Sequence, residues 1–384
     1  MHPFLRYSTD HQRDVIRMLQ QFVECESPSN DPSAVARFVD LLVESTKDIA
    51  SAKRLPSKTA GPNAYGPHLR LEFATPGRKK DGQILGLGHS DTVWPLGTLN
   101  SMPFRRAQGR LWGPGVLDMK AGLAFFVFAV RALRDLDTPV RRRVVLLVVS
   151  DEEVGSQTSR ALTESEAAKS DAVLVVEPGT GLEGKLKTSR KGVGDYTVRV
   201  EGVAAHAGVD FANGASAIVE MARQIETISS FTDLKRGITV NPGVIRGGTR
   251  ANVIAAEAEL KVDIRVARMK DAGPLDRRFR ALKPFDKRCK VMVSGGLNRP
   301  PMERSPAIRN LFQRAQELGK SLEVNLEESS TGGGSDGNFT SALGIPTLDG
   351  LGGVGEGAHA VNESILIDRV PDRIALLALL LQSL

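Results

Sequence analysis

The chain has 384 residues, more than a single hydrophobic core organises well, so two domains are the expectation. Apolar residues at 41% and charged residues at 25% give the balance of an ordinary soluble globular protein, and no apolar run approaches the roughly 20 residues of a membrane span. The formal charge of +6, from 51 basic and 45 acidic side chains, is modest, and the basic clusters lack the interleaved aromatics of a nucleic-acid binder.

In chain order, the N-terminal "MHPFLRYSTDHQRDVIRML" has no apolar export core, so cytoplasmic residence is expected. In "DVIRMLQQFV" the residues Val15, Met18, Leu19, Phe22 and Val23 fall on one helical stripe, and "SAVARFVDLLVES" continues the helical character after "SPSNDP". Short apolar strands at "LRLEF" and "ILGLG" precede a long apolar helix, "AGLAFFVFAVRALRDL". A strand over 144–149, a helix near "TSRALTESEAAK" and the strand "AVLVVE" come next. Strand and helix alternate, which predicts an α/β layer with a mostly parallel sheet.

From about residue 190 the texture changes. "YTVRVEG" and "AEAELKVDIRVA" alternate apolar and polar residues around the amphipathic helix "ASAIVEMARQIETI", the pattern of a half-exposed antiparallel sheet in an α+β unit. The helix "AIRNLFQRAQELG", a Gly-rich loop and the helix "PDRIALLALLLQSL" then return to the first texture. The expectation is an α/β domain over 1–189 and 298–384, interrupted by an inserted α+β domain over 190–297. Cys25 and Cys289 have neither the number nor the spacing of a disulfide or redox motif.

The chemistry gathers at strand ends. In "RVVLLVVSDEEVGS" an apolar strand runs straight into Asp151, Glu152 and Glu153; His89 and Asp91 follow "ILGLG", and Glu177 ends "AVLVVE". In open α/β sheets the carboxyl ends of parallel strands form the ligand crevice. Acids gathered there repel one another unless cations hold them. Mixed carboxylate and imidazole donors favour zinc or a similar first-row divalent ion, and with Asp118 and His359 the donors exceed what one tetrahedral ion needs, which points to two ions sharing a carboxylate. Such a pair activates a bridging water and polarises a carbonyl, the requirements of hydrolysis. Of two adjacent glutamates, one can bind metal while its neighbour takes the proton.

The motifs "GHSDTVWP", "GRLWGPGVLDMKAG", "SDEEVGS", "VVEP", "GVAAHAG", "NVIAAEAELKVDIR", "TGGGSDGNF" and "GAHAVNE" resemble, in order and spacing, those of the dinuclear-zinc M20 metallopeptidases, and within them the glutamate carboxypeptidase G2 group. The resemblance implies a zinc-peptidase-like catalytic domain and a ferredoxin-like lid through which the chain forms a homodimer. It implies His89 and Glu177 as ligands of one Zn2+, Glu153 and His359 as ligands of the other, and Asp118 as the bridge, with a cis peptide after it. Co2+ or Mn2+ would substitute for zinc. It implies Asp91 as the acid that orients His89, Glu152 as general base, and His206 as the residue that reaches the scissile carbonyl from the other subunit. Asn252, Arg265, Gly333 and Gly334 would contact the substrate's main-chain end, and Lys185 and Arg299 a glutamate side chain.

The function so implied is hydrolysis of an amide bond beside a free carboxylate in a small peptide or N-acyl amino acid, with release of C-terminal glutamate. Deacylation or deacetylation of N-acyl amino acids and cleavage of dipeptides are the alternatives within the family. A phosphate-binding protein, suggested by "GLGHSD" and "TGGGSDG", fails because neither stretch forms a phosphate-loop pattern and both put Asp where phosphate would be repelled.

Overall fold

The computed structural model describes residues 1–57, 65–78 and 80–384. The chain forms two compact units. The first comprises Met1–Ser189, Arg304–Ser330 and Ser335–Leu384; the second comprises Arg190–Glu303 with Thr331–Gly334.

The first unit is built on a six-stranded mixed sheet, in spatial order Ala50–Leu55, His68–Phe73, Arg143–Val149, Gln83–His89, Ala172–Val175 and Thr347–Leu348. The last four strands run parallel, and His68–Phe73 runs antiparallel to both of its neighbours. The apolar run 144–149 is buried on both faces. Val144, Leu146 and Val148 join the larger core with helices Ala121–Asp135 and Val370–Ser383, while Val145, Leu147 and Val149 face a smaller cluster that includes Ala167. Fully burying such aliphatic side chains is worth about 1.5–3 kcal/mol each, so this strand fixes the sheet's centre. The outer strand Ala50–Leu55 is mostly exposed and carries Lys53 and Arg54, charges that discourage edge-to-edge pairing.

Parallel register sets the site. His89 pairs with Val149 and Leu87 with Val175, so the residues just past Val149 and Val175 emerge beside His89. Helix Ala121–Asp135 starts next to this point. A Cβ at Gly122 would lie 1.9 Å from the Val176 carbonyl oxygen, so only glycine lets the helix start that close to the strand end. A small antiparallel sheet of Arg105–Ala107, Arg110–Trp112, Gly355–Glu356 and Ser364–Leu366 brings the late hairpin containing His359 against the Gly113–Asp118 segment.

The second unit has the chain order strand–helix–strand–strand–helix–strand. Its antiparallel sheet has the spatial order Thr239–Gly247, Glu257–Val266, Gly192–Glu201 and Lys290–Arg299, which is the ferredoxin-like arrangement. Along Gly192–Glu201 the residues Tyr196, Val198 and Val200 are buried, while Asp195, Arg199 and Glu201 are exposed. Tyr196 stacks on Phe279 of helix Met269–Arg280, with centroids 3.8 Å apart. That helix holds Gly273 and Pro274; burial of Ala272, Leu275 and Phe279 overrides their poor propensity. Among the described residues no helix is long and apolar enough to cross a membrane.

Candidate metal centre

His89 is buried at the end of its strand. Its Nδ1 lies 2.9 Å from the Asp91 carbonyl oxygen, an acceptor that fixes a proton on Nδ1 and aims Nε2 at the carboxylates. Nε2 is 3.3 Å from Asp118 Oδ1 and 3.5 Å from Glu177 Oε1. The other Asp118 oxygen, Oδ2, is 3.3 Å from His359 Nε2, and His359 Nε2 is 3.2 Å from Glu153 Oε1. Asp118 therefore turns one oxygen to each histidine. Its peptide bond to Met119 is cis.

Donor atoms held by one tetrahedral ion at about 2.0–2.1 Å lie about 3.3–3.4 Å from one another. The spacings around Asp118 match that edge length on both sides, so the side chains fit two small divalent ions with nitrogen and oxygen donors. Glu152 offers an oxygen within 4.8 Å of donor atoms on His89 and Glu177.

The electrostatics of these side chains are those of a cation trap. Burial opposes a charge on His89, yet Asp118, Asp91 and Glu177 raise its pKa well above the usual range. The Asp118 and Glu153 carboxylates push His359 up to about 10. Burial would raise Asp118, but the two imidazoles hold it far below the ordinary carboxylate range. Burial pushes Glu153 up. The carboxylates that raise both imidazoles are the same groups that would attract a divalent cation.

The neighbouring groups hold the donors in place. The Asp91 carboxylate accepts the backbone N–H groups of Glu152 and Glu153 and the Ser29 hydroxyl. Asp151, first of the three acids, is not at the site: its buried carboxylate accepts the Thr158 N–H and hydroxyl and closes the loop behind Glu152 and Glu153. Glu363 is fully buried and accepts N–H groups from the Asp118 segment and from Trp94; burial raises its pKa and these donors oppose the shift. Sequence reasoning missed Glu363 and Ser29. The "GAHAVNE" stretch containing Glu363 was visible, but nothing local distinguishes this acid from a surface one.

In the second unit, His206 pairs with Val253 across a short antiparallel bridge, and Ala207 N donates to the Asn252 carbonyl, so His206 and Asn252 sit together on exposed backbone. His206 Nδ1 accepts the Gly208 N–H at 3.2 Å, which leaves Nε2 to carry the ring proton. Arg265 donates from Nη1 to the Gly332 carbonyl, while its Nε and Nη2 hold Asp263 in bidentate fashion. Arg190, which the sequence does not single out, is buried and donates to the Gly333 and Gly334 carbonyls. Arg299 is also buried, and a Cβ at Gly334 would lie 3.1 Å from its Cδ. Lys185 belongs to the first unit, where it pairs with Glu327 at 2.6 Å rather than joining the His89 cluster.

This chain resembles proteins of known class. Residues 86–383 match the family described as Peptidase family M20/M25/M40. Over 98% of its length the chain is 30% identical to carboxypeptidase G2 of Pseudomonas sp. (strain RS-16), covering 91% of that protein. Its fold is shared with aminopeptidase PepT from Bacillus cereus at a TM-score of 0.77, with 20% identity over 97% of this chain and 98% of the other. It is shared likewise with the M20 family metallo-carboxypeptidase Sso-CP2 from Sulfolobus solfataricus at a TM-score of 0.75, with 18% identity over 96% and 98% of the two chains.

Proposed function

The chain belongs to peptidase family M20/M25/M40, and from that premise we propose that it is a two-zinc carboxypeptidase that releases a C-terminal amino acid, glutamate first among them. The observation that carries the reading is Asp118, with one oxygen 3.3 Å from each of two histidines that themselves face Glu177 and Glu153.

Two divalent ions bound there would supply a water of lowered pKa and a polarised carbonyl. Glu152, within 4.8 Å of the His89 and Glu177 donors, takes the proton from water and returns it to the leaving amine. Asp91 keeps the His89 ring and the Glu152–Glu153 backbone in place. His206, its Nε2 carrying the proton, donates to the developing oxyanion from the partner subunit of a homodimer, and Asn252 and the Gly333–Gly334 backbone line the substrate's main-chain end. Arg265 grips the free carboxylate; because Asp263 occupies two of its nitrogens, the substrate must share or displace that partner. Arg299 is the basic partner of the glutamate side chain in this reading, because Lys185 is already paired with Glu327.

The test is a substrate panel with the zinc-loaded enzyme: N-acyl-glutamate, N-acyl-phenylalanine, N-acyl-leucine, an N-acetyl diamino acid and unblocked dipeptides. A kcat/KM highest for the glutamate conjugate supports the reading. Fast release of an aromatic or aliphatic residue with slow release of glutamate moves the assignment to an N-acyl-amino-acid deacylase, and preference for unblocked dipeptides moves it to a dipeptidase.

A further inference from the structure

We propose that Glu363 is a positioning residue of the metal centre: its carboxylate fixes the main chain that presents Asp118 and so sets how Asp118 is shared between His89 and His359. The inference rests on reading that cluster as a metal centre.

The geometry is unusually complete for a carboxylate that ligates nothing. Glu363 Oε1 accepts the N–H of Leu117 at 2.8 Å and of Asp118 at 3.0 Å. Its Oε2 accepts the N–H of Gly115 at 2.9 Å and the indole N–H of Trp94 at 2.8 Å. All of these partners are N–H groups that can only donate, so both oxygens must act as acceptors, which a carboxylate does and an amide or an aliphatic side chain cannot. The side chain is fully buried, so water cannot take over any of the four bonds.

Three segments meet at this one group. Trp94 lies on the loop that follows His89 and Asp91, Gly115–Asp118 carries the shared carboxylate, and Glu363 lies four residues beyond His359 on the same hairpin. The main chain repeats the tie, because the Gly113 N–H donates to the Glu363 carbonyl at 3.4 Å. Rotation of the Asp118 peptide would carry its side chain away from one histidine or the other, and the bond from Asp118 N to Glu363 opposes that rotation.

The test is Glu363→Gln in the full-length protein, stripped of metal and titrated with Co2+, with d–d absorption, metal stoichiometry and, separately, kcat and KM followed. Glutamine keeps the volume but turns an NH2 group toward two N–H donors. The expected result is a folded protein whose Co2+ affinity drops about 10–100-fold with an altered d–d band, and whose kcat falls while KM stays within about twofold. Trp94→Phe, which removes one donor, is expected to shift the band in the same direction by less. As a control, Glu356→Gln alters an exposed acid of the same hairpin that pairs with Arg110, and should leave spectrum and affinity unchanged. A wild-type spectrum and affinity in Glu363→Gln overturns the proposal, as does an equal loss in Glu356→Gln, which would make the effect a general weakening of the hairpin. If Glu363→Gln does not fold, Trp94→Phe decides, and a wild-type spectrum there overturns it. Wild-type protein that takes up no Co2+ sinks the metal-centre reading and this inference together; wild-type uptake with unaffected variants sinks this inference alone.

Discussion

The Asp91 carboxylate accepts the backbone N–H of Glu153 at 3.2 Å. It also takes the Glu152 N–H at 3.3 Å, while the Asp91 carbonyl sits 2.9 Å from the His89 ring. One residue thus orients a histidine on one strand end and both glutamates on the next. Asp91→Asn keeps the shape but sets an NH2 group against an N–H donor, so zinc retained after dialysis and kcat should each fall about 10–100-fold. Normal zinc content with normal kcat would deny Asp91 this role.

Glu152 and Glu153 are adjacent, but Glu153 meets His359 at 3.2 Å whereas Glu152 offers an oxygen within 4.8 Å of donors on His89 and Glu177. Glu152→Gln is expected to bind both metals as the parent does and to lose about 10²–10⁴-fold in kcat, the range of a general base. Glu153→Gln should lose metal first. Retention of most activity in Glu152→Gln would refute the base assignment.

The metal-free protein should show its own pH signature. His359 has a folded-state pKa of about 10 against an ordinary 6.5, because its proton is held by Asp118 and Glu153. A group raised in this way stabilises the folded state fully below its unfolded pKa and loses that contribution as pH rises through the folded value. The urea midpoint of the stripped protein should therefore fall between about pH 6.5 and pH 10, with His89 adding in the same direction. His359→Ala should flatten part of that slope, and an identical slope in the variant would show that the ring carries no such proton. Zinc-loaded protein should lack this component, because the ion replaces the proton.

The legible features of the chain were the ones with strong local contrast. The run 144–149 is apolar enough to be a strand buried on both faces, and parallel register then forces the residues after it, after Leu87 and after Val175 to emerge together. The helix Met269–Arg280 was hidden by its Gly-Pro pair and charge, and the strand Lys290–Arg299 by two glycines and a polar start; both owe their form to burial against Tyr196 and its neighbours. The edge strand Ala50–Leu55 has no apolar alternation because it buries almost nothing. Glu363 and Arg190 acquire meaning only from main-chain groups brought to them by distant segments, and no spacing rule marks such pairings.

Arg373 stands behind the Glu177 strand end. Fully buried, it donates to the carbonyls of Gly184, Gly350 and Gly352, and Gly352 N in turn donates to the Glu177 carbonyl at 2.8 Å. Burial lowers its pKa to about 10, still far above neutrality, so it is charged in use. Arg373→Met fills the space but strands those carbonyls, at about 1–3 kcal/mol for each group left unpaired. A urea midpoint unchanged from wild type would mean that the loop finds other donors.

The placement of His206 makes a prediction about assembly. Its side chain is exposed on the second unit, with Nδ1 accepting the Gly208 N–H. If it serves the partner's site, a His206→Ala chain and a Glu152→Gln chain are each inactive alone, but their heterodimer holds one site with both groups intact. Random exchange in a symmetric dimer makes half the dimers mixed, so about a quarter of wild-type activity should return. Native mass spectrometry reports whether the mixed dimer has formed. Activity that stays at the level of the single variants while mixed dimers are abundant would place His206 in its own subunit's chemistry or outside catalysis.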